Sequence, residues 1–273
     1  MGGIGDILMM TPIIKAVKEK YPNSKLFVAV KRKGVRKDSY YLVLKNLKYV
    51  DKIIESKYIN KKDFDLFYDL TKCCTLYERP GLTFNRIDLF ASACEVSLED
   101  KTPIYDIEIG EKLSKDTIAI HIKSEDEKRN WPEKYNYSLI NLILRNTKYN
   151  VLILDNNLEE TVNNPRVSYC TNKNIEETAA LLKQCKYFVG PDSCFMHFAA
   201  AFKIPSLVLM GSIPIEARLK HYSLAKGITS SSDCLECWYE KCNENIKCMI
   251  LLDPGTVFKE LKGLINEKAQ VLL

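Results

Sequence analysis

Residues 187–211 read YFVGPDSCFMHFAAAFKIPSLVLMG, and this stretch decides the fold class. An apolar run, Tyr187 to Val189, stops at Gly190-Pro191-Asp192, as a buried strand stops at a turn. From Ser193 to Phe202 the apolar spacing is helical, and Ala199, Ala200 and Ala201 allow that helix to lie close against a sheet. A second apolar run, Ser206 to Met210, follows Pro205. Strand, turn, helix and strand make the unit of a parallel α/β sheet, and such sheets bind ligands at their carboxyl edge. Asp192, Ser193 and His197 fall at that edge, where helix amides would face phosphates. The plainer alternative makes Asp192 a helix cap and His197 a satisfied core histidine. The density of polar groups at one turn favours a binding site.

Outward from this unit the alternation continues. TIAIHIKS, YNYSLINLILRN, NVLILD and IEETAALLKQC precede it, so a doubly wound unit begins near Thr117. Residues 100–116 are polar, and before them KLFVAV, YYLVLKNL, VDKIIES and FDLFYDL lead to the helical stretch NRIDLFASACEV. The chain of 273 residues therefore reads as two α/β domains, 1–115 and 116–255, facing a cleft. A closing helix behind Pro254, residues 256–273, is expected to pack back across both.

Forty basic and 35 acidic residues give a net charge of +5, spread without a tract dense enough for a nucleic-acid arm. Small anions are the expected partners. No apolar run reaches the roughly 20 residues of a membrane span, and the start lacks a secretory signal, which places the chain in the cytoplasm. Ten cysteines are unevenly spread, and four of them, Cys234, Cys237, Cys242 and Cys248, crowd into one loop. Thiolates at such short range suit a tetrahedral structural site for zinc or iron, against the alternative of free or disulfide-linked thiols.

Two further stretches carry chemistry. Residues 1–22 read MGGIGDILMMTPIIKAVKEKYP, a glycine turn with Gly2, Gly3 and Gly5 and the carboxylate of Asp6 at its mouth. Thr11 and Pro12 resemble an N-cap and first helical position, and Tyr21-Pro22 ends the helix. Asp6 is either an exposed functional carboxylate or only a helix cap. No strand precedes this turn, although a doubly wound order would put one at the sheet centre. The expectation is that the natural chain begins upstream or that the N-terminal domain is rearranged. Residues 120–135, IHIKSEDEKRNWPEKY, lead from a strand through a charged loop to a helix. Arg129 can grip a diphosphate with its planar fork, Ser124 can donate a hydroxyl hydrogen bond, and Trp131 can pack the loop rigidly.

Together, GGIGDILMMTP, KRNWPE and VGPDSCFMHFAAAFKIPSLVLMG resemble, in order and spacing, glycosyltransferase family 9, the heptosyltransferase-like enzymes. The resemblance implies the GT-B arrangement of two Rossmann-like domains and inverting, metal-independent transfer. The implied donor is a nucleoside-diphosphate sugar, ADP-heptose; the acceptor is a hydroxyl of lipopolysaccharide core, another surface glycan or a protein. It makes Asp6 the general base and Arg129 the group that stabilises the departing diphosphate. Ser124 and the amides around Ser193 would complete the phosphate cradle, with Asp192 and His197 at the sugar and diphosphate and Glu159 or Glu160 at the ribose. Cys194 stands where the family usually has glycine, which narrows the room beside the donor. Some members carry similar cysteine loops holding iron, and any membrane association would be peripheral. A non-catalytic nucleotide-sugar-binding protein and a nucleotide-sugar 2-epimerase are the alternatives.

Overall fold

Helix α1, Ile4–Lys20, opens the computed structural model, which describes residues 3–30, 37–113, 116–155, 161–238 and 241–271. Gly2, Glu159 and Glu160 lie outside the described residues. After α1 come β1 (Phe27–Val30), α2 (Lys37–Leu44), β2 (Lys52–Glu55) and α3 (Arg86–Ala93). β1 and β2 pair in parallel as a two-stranded sheet. FDLFYDL, residues 64–70, forms neither helix nor strand.

The helix at the chain start differs from its sequence reading. Thr11 and Pro12 do not begin it; both are buried inside α1. Proline there cannot donate the backbone bond that the carbonyl of residue 8 expects. The Thr11 hydroxyl supplies the missing donor, bonding the Leu8 carbonyl at 2.7 Å, and its oxygen also accepts from Ile104 N at 2.6 Å. A threonine immediately before the proline thus repairs the helix that proline would break.

The second half contains β3 (Thr117–Ile120), α4 (Glu133–Asn146), β4 (Asn150–Ile153), β5 (Val167–Tyr169), α5 (Ile175–Leu182) and β6 (Tyr187–Pro191). It continues with α6 (Cys194–Ala201), β7 (Ser206–Leu209), α7 (Ile215–Leu219), β8 (Ala225–Ile228), α8 (Lys247–Ile250) and α9 (Pro254–Val271). Its six strands are parallel in the order β5-β4-β3-β6-β7-β8. The order reverses between β3 and β6, so the crevice beyond their carboxyl ends is the expected ligand position. β3 starts at Thr117, as its sequence indicates.

Two apolar cores cover the faces of this sheet. One is shared by both halves: Ile7, Leu8 and Ile13 of α1, Val43 and Leu44 of α2 and Phe90 of α3 join Leu181, Met196 and Phe198 of α5 and α6. Burial of each such side chain contributes about 1.5–3 kcal/mol, so much of the stability of the first half depends on the second. On the opposite face Ile140 and Ile143 of α4 pack with Val257 and Leu261 of α9, and α9 also touches β7.

Candidate active site

Asp192 follows directly on β6 at the switch point and is 4 % exposed. Two guanidinium groups meet its Oδ2, Arg129 Nη1 at 3.2 Å and Arg218 Nε at 3.4 Å. Burial opposes the charge on Asp192, but Arg129 and Arg218 outweigh it and hold the carboxyl below its usual range. The two arginines differ in access: the Arg129 side chain is 26 % exposed and Arg218 only 3 %. Arg129 also pairs with Asp126 at 3.2 Å, while Arg218 lies 5.5 Å over the Trp238 ring. An incoming anion can therefore recruit Arg129, leaving Arg218 to hold Asp192.

The loop that presents Arg129 is closed by its own polar groups. Ser124 N donates to Asn130 Oδ1 at 2.6 Å, and Ser124 Oγ accepts from Asp126 N at 3.3 Å. Trp131 is buried and donates through Nε1 to the Leu252 carbonyl at 2.8 Å, anchoring the loop to the segment before α9. The rigid packing expected of Trp131 is present.

Ser193 caps α6, its Oγ accepting from Phe195 N at 3.3 Å, and lies 3.0 Å from His121 Nδ1. His121 just follows β3; burial lowers its pKa and keeps the ring neutral. Gly190 leaves room for this ring, since a Cβ there would approach His121 Cβ to 3.0 Å. Cys194 opens α6, facing Gly5 of α1, whose added Cβ would lie 3.9 Å from the Cys194 Cα.

His197 lies on α6. It is 2 % exposed, its Nδ1 sits 2.6 Å from Tyr222 Oη, and burial depresses its pKa to about 4. A Cβ on Gly5 would come within 2.9 Å of His197 Cδ2, so the glycine permits the helix contact rather than a left-handed turn.

Asp6 lies across from these groups at the first turn of α1. Its Oδ2 accepts from Gly3 N at 3.0 Å and its Oδ1 accepts from Arg86, which also pairs with Glu78. Burial favours the neutral acid, yet the charges of Arg86 and Arg218 lower the Asp6 pKa. Arg86 in turn lowers that of Asp192, so one field of alternating charges joins the two halves. Asp6 is both cap and member of this cluster.

The sequence profile of glycosyltransferase family 9 (heptosyltransferase) matches residues 24–247. The chain belongs to glycosyltransferase family 9. This makes it a glycosyltransferase with the GT-B class of α/β fold. Solved structures agree with the family fold. E. coli ADP-heptose lipopolysaccharide heptosyltransferase II is 15% identical with a TM-score of 0.69, the alignment covering 97% of each chain. The E. coli dodecameric iron-containing heptosyltransferase TibC, solved with ADP-D-beta-D-heptose, is 14% identical with a TM-score of 0.74, covering 98% of this chain and 75% of that one. A family 9 glycosyltransferase from Veillonella parvula is 14% identical with a TM-score of 0.67, covering 98% and 95%. No curated protein matches the sequence.

In this family 9 chain burial raises the Cys248 thiol pKa most, and the nearby Cys234, Cys242 and Cys237 raise it further. Among the described residues no three His, Cys, Asp or Glu side chains gather as a metal site. Cys234 Sγ instead lies 3.1 Å from Ser232 Oγ, Cys242 Sγ accepts from Ile246 N at 3.2 Å, and Cys248 is buried beside Gly211. The tetrahedral site expected from their spacing is not shown among the described residues. Among the described residues no helix is long and apolar enough to cross a membrane.

Arg86, Arg218 and His121 were not selected by motif. Each sits in an ordinary helix or strand context, and only tertiary packing brings it to the site. The one local signal was His121 at the end of TIAIHIKS, a strand terminus beside a switch point.

Proposed function

We propose that this glycosyltransferase moves a heptose from ADP-heptose to an acceptor hydroxyl, inverting the anomeric centre without a catalytic metal. The reading rests on one observation above the others: Asp6 and Asp192–Arg129 approach from different halves and share one charged cluster. In this reading the acceptor oxygen attacks the anomeric carbon and the bond from that carbon to the diphosphate oxygen breaks. Asp6 takes the acceptor proton, and Arg129 exchanges Asp126 and Asp192 for the diphosphate as its charge grows. Ser193, His121 and the first amides of α6 line the donor side. Lipopolysaccharide core, another surface glycan and a protein hydroxyl are the acceptor classes. ADP-heptose is what TibC was solved with, and its extension to this chain belongs to the proposal.

Thermal unfolding with ADP-heptose tests donor binding. Ligand at about a hundredfold excess over its Kd stabilises the chain by about 2.7 kcal/mol, and Arg129→Ala should weaken that binding by about 1.5–3 kcal/mol. An unchanged melting temperature at saturating ADP-heptose would remove ADP-heptose as the donor.

A second reading, donor binding without transfer, is favoured by a single feature. Both Asp6 oxygens are already occupied, by Gly3 N and by Arg86. Arg86 favours the charged carboxylate in that state and so weakens Asp6 as a base.

A further inference from the structure

Cys73 and Cys74 lie between Leu70 and Glu78, in a segment without regular strand or α-helix. Their sulfur atoms are 3.7 Å apart, and the Cys73 thiol donates through Sγ to the Leu70 carbonyl oxygen at 3.4 Å. Both are half-buried, whereas Cys94, Cys170, Cys185 and Cys248 are buried. Burial raises the thiol pKa of Cys94 to about 11 and of Cys185 to about 12. Cys73 moves the other way: a hydrogen bond from Cys74 favours its thiolate most, with help from the nearby Arg86 guanidinium. Two half-buried thiols with their sulfur atoms in reach of each other have the arrangement of an attacking and a resolving cysteine.

We propose that Cys73 and Cys74 are a vicinal dithiol modification site that reacts with small-molecule disulfides such as oxidised glutathione. The Cys73 thiolate attacks one sulfur of the disulfide; the glutathione S–S bond breaks, a mixed disulfide forms and one glutathione thiolate leaves. With the Cys73 charge gone, Cys74 loses its proton to solvent and attacks the Cys73 sulfur. The Cys73–Cys74 bond forms and the second glutathione leaves as thiolate. Two protein thiols are oxidised and one glutathione disulfide is reduced.

Neighbouring α-carbons stand about 3.8 Å apart, closer than the 4.4–6.8 Å usual for a disulfide. The ring is therefore strained and easily reopened, which suits a labile site and not a structural cross-link. Glu78, four residues on, pairs with Arg86, the partner of Asp6. The modification site thus lies on the segment that supports the catalytic carboxylate. It rests on sulfur geometry and does not depend on the assigned donor.

The test uses the folded full-length chain, oxidised glutathione, an acid quench, alkylation of remaining thiols and tryptic mass mapping. Residues 73–86 form one tryptic peptide with no other cysteine. We expect this peptide to lose two hydrogens and to resist alkylation, about tenfold faster than Cys234, Cys237 or Cys242 is modified. Dithiothreitol should restore both thiols, and Cys74→Ser should stop the reaction at a glutathione adduct on Cys73. Full alkylation of both sulfurs while the other cysteines react would overturn the proposal. So would a stable glutathione adduct in the unsubstituted chain, or a Cys73–Cys94 cross-link.

Discussion

Arg86 of α3 and Asp6 of α1 are ion-paired within the first half, the guanidinium holding Oδ1 while Gly3 N holds Oδ2. Arg86 is the largest influence opposing the burial penalty on this carboxyl. Replacing it with glutamine removes that charge and should move the acid limb of the pH–kcat/KM profile upward by about one pH unit or more. Profiles for Arg86→Gln and the parent chain check this. Coincident acid limbs would show that Arg86 does not set the protonation of Asp6.

His197 gives the fold an acid-sensitive element. Its folded pKa of about 4 lies below the ordinary 6.5, so between those values the unfolded chain binds a proton that the folded chain refuses. Its contribution is complete above pH 6.5 and falls as the pH drops towards 4, by roughly 3 kcal/mol. His121 is also depressed and acts in the same direction. Asp6 and Asp192, both lowered from 3.8, lose their contributions only below that pH. Urea unfolding from pH 7 to 4.5 should therefore show falling stability, with a shallower slope for His197→Gln. Parallel slopes would contradict the assignment.

Thr11 and Pro12 are predicted to be energetically coupled. Thr11→Val removes the donor to Leu8 O and the acceptor for Ile104 N in a buried setting, at a cost of about 2–3 kcal/mol. Pro12→Ala restores a backbone donor to Leu8 O, so Thr11→Val should cost less in that background. A double-mutant cycle by chemical denaturation measures the difference, and strict additivity would refute the repair role of Thr11.

Gly5→Ala places a methyl group 2.9 Å from His197 Cδ2, at the contact between α1 and α6. We expect a loss of about 1–3 kcal/mol and a melting transition that remains single, because the shared core couples the halves. A neutral substitution would mean that α1 and α6 do not meet this closely.

The second sheet was legible because its strands are short apolar runs bounded by turn residues, and the stretch 187–211 fixed both the strand–helix–strand order and the position of Asp192. Trp131 and its loop were legible for the same reason, since a charged run ending in Trp-Pro has few ways to pack. The start of α1 was not, because proline normally marks a first helical turn and the repairing hydroxyl of Thr11 acts through a bond invisible in periodicity. The polar density around His197 is visible in the local sequence, whereas its pairing with Tyr222 depends on a residue 25 positions away. Arg86 and Arg218 reach the Asp6–Asp192 charge cluster only through the packing of α3 and α7, which no local pattern records.

The central claim is that Asp6 takes the acceptor proton while the donor is held by the opposite half. Its most direct measurement is transfer from ADP-heptose by the parent chain and by Asp6→Asn, with donor binding followed in the same samples. The account predicts that Asp6→Asn retains donor-induced thermal stabilisation and loses at least about a hundredfold in kcat. Transfer by Asp6→Asn at the parent rate would contradict it.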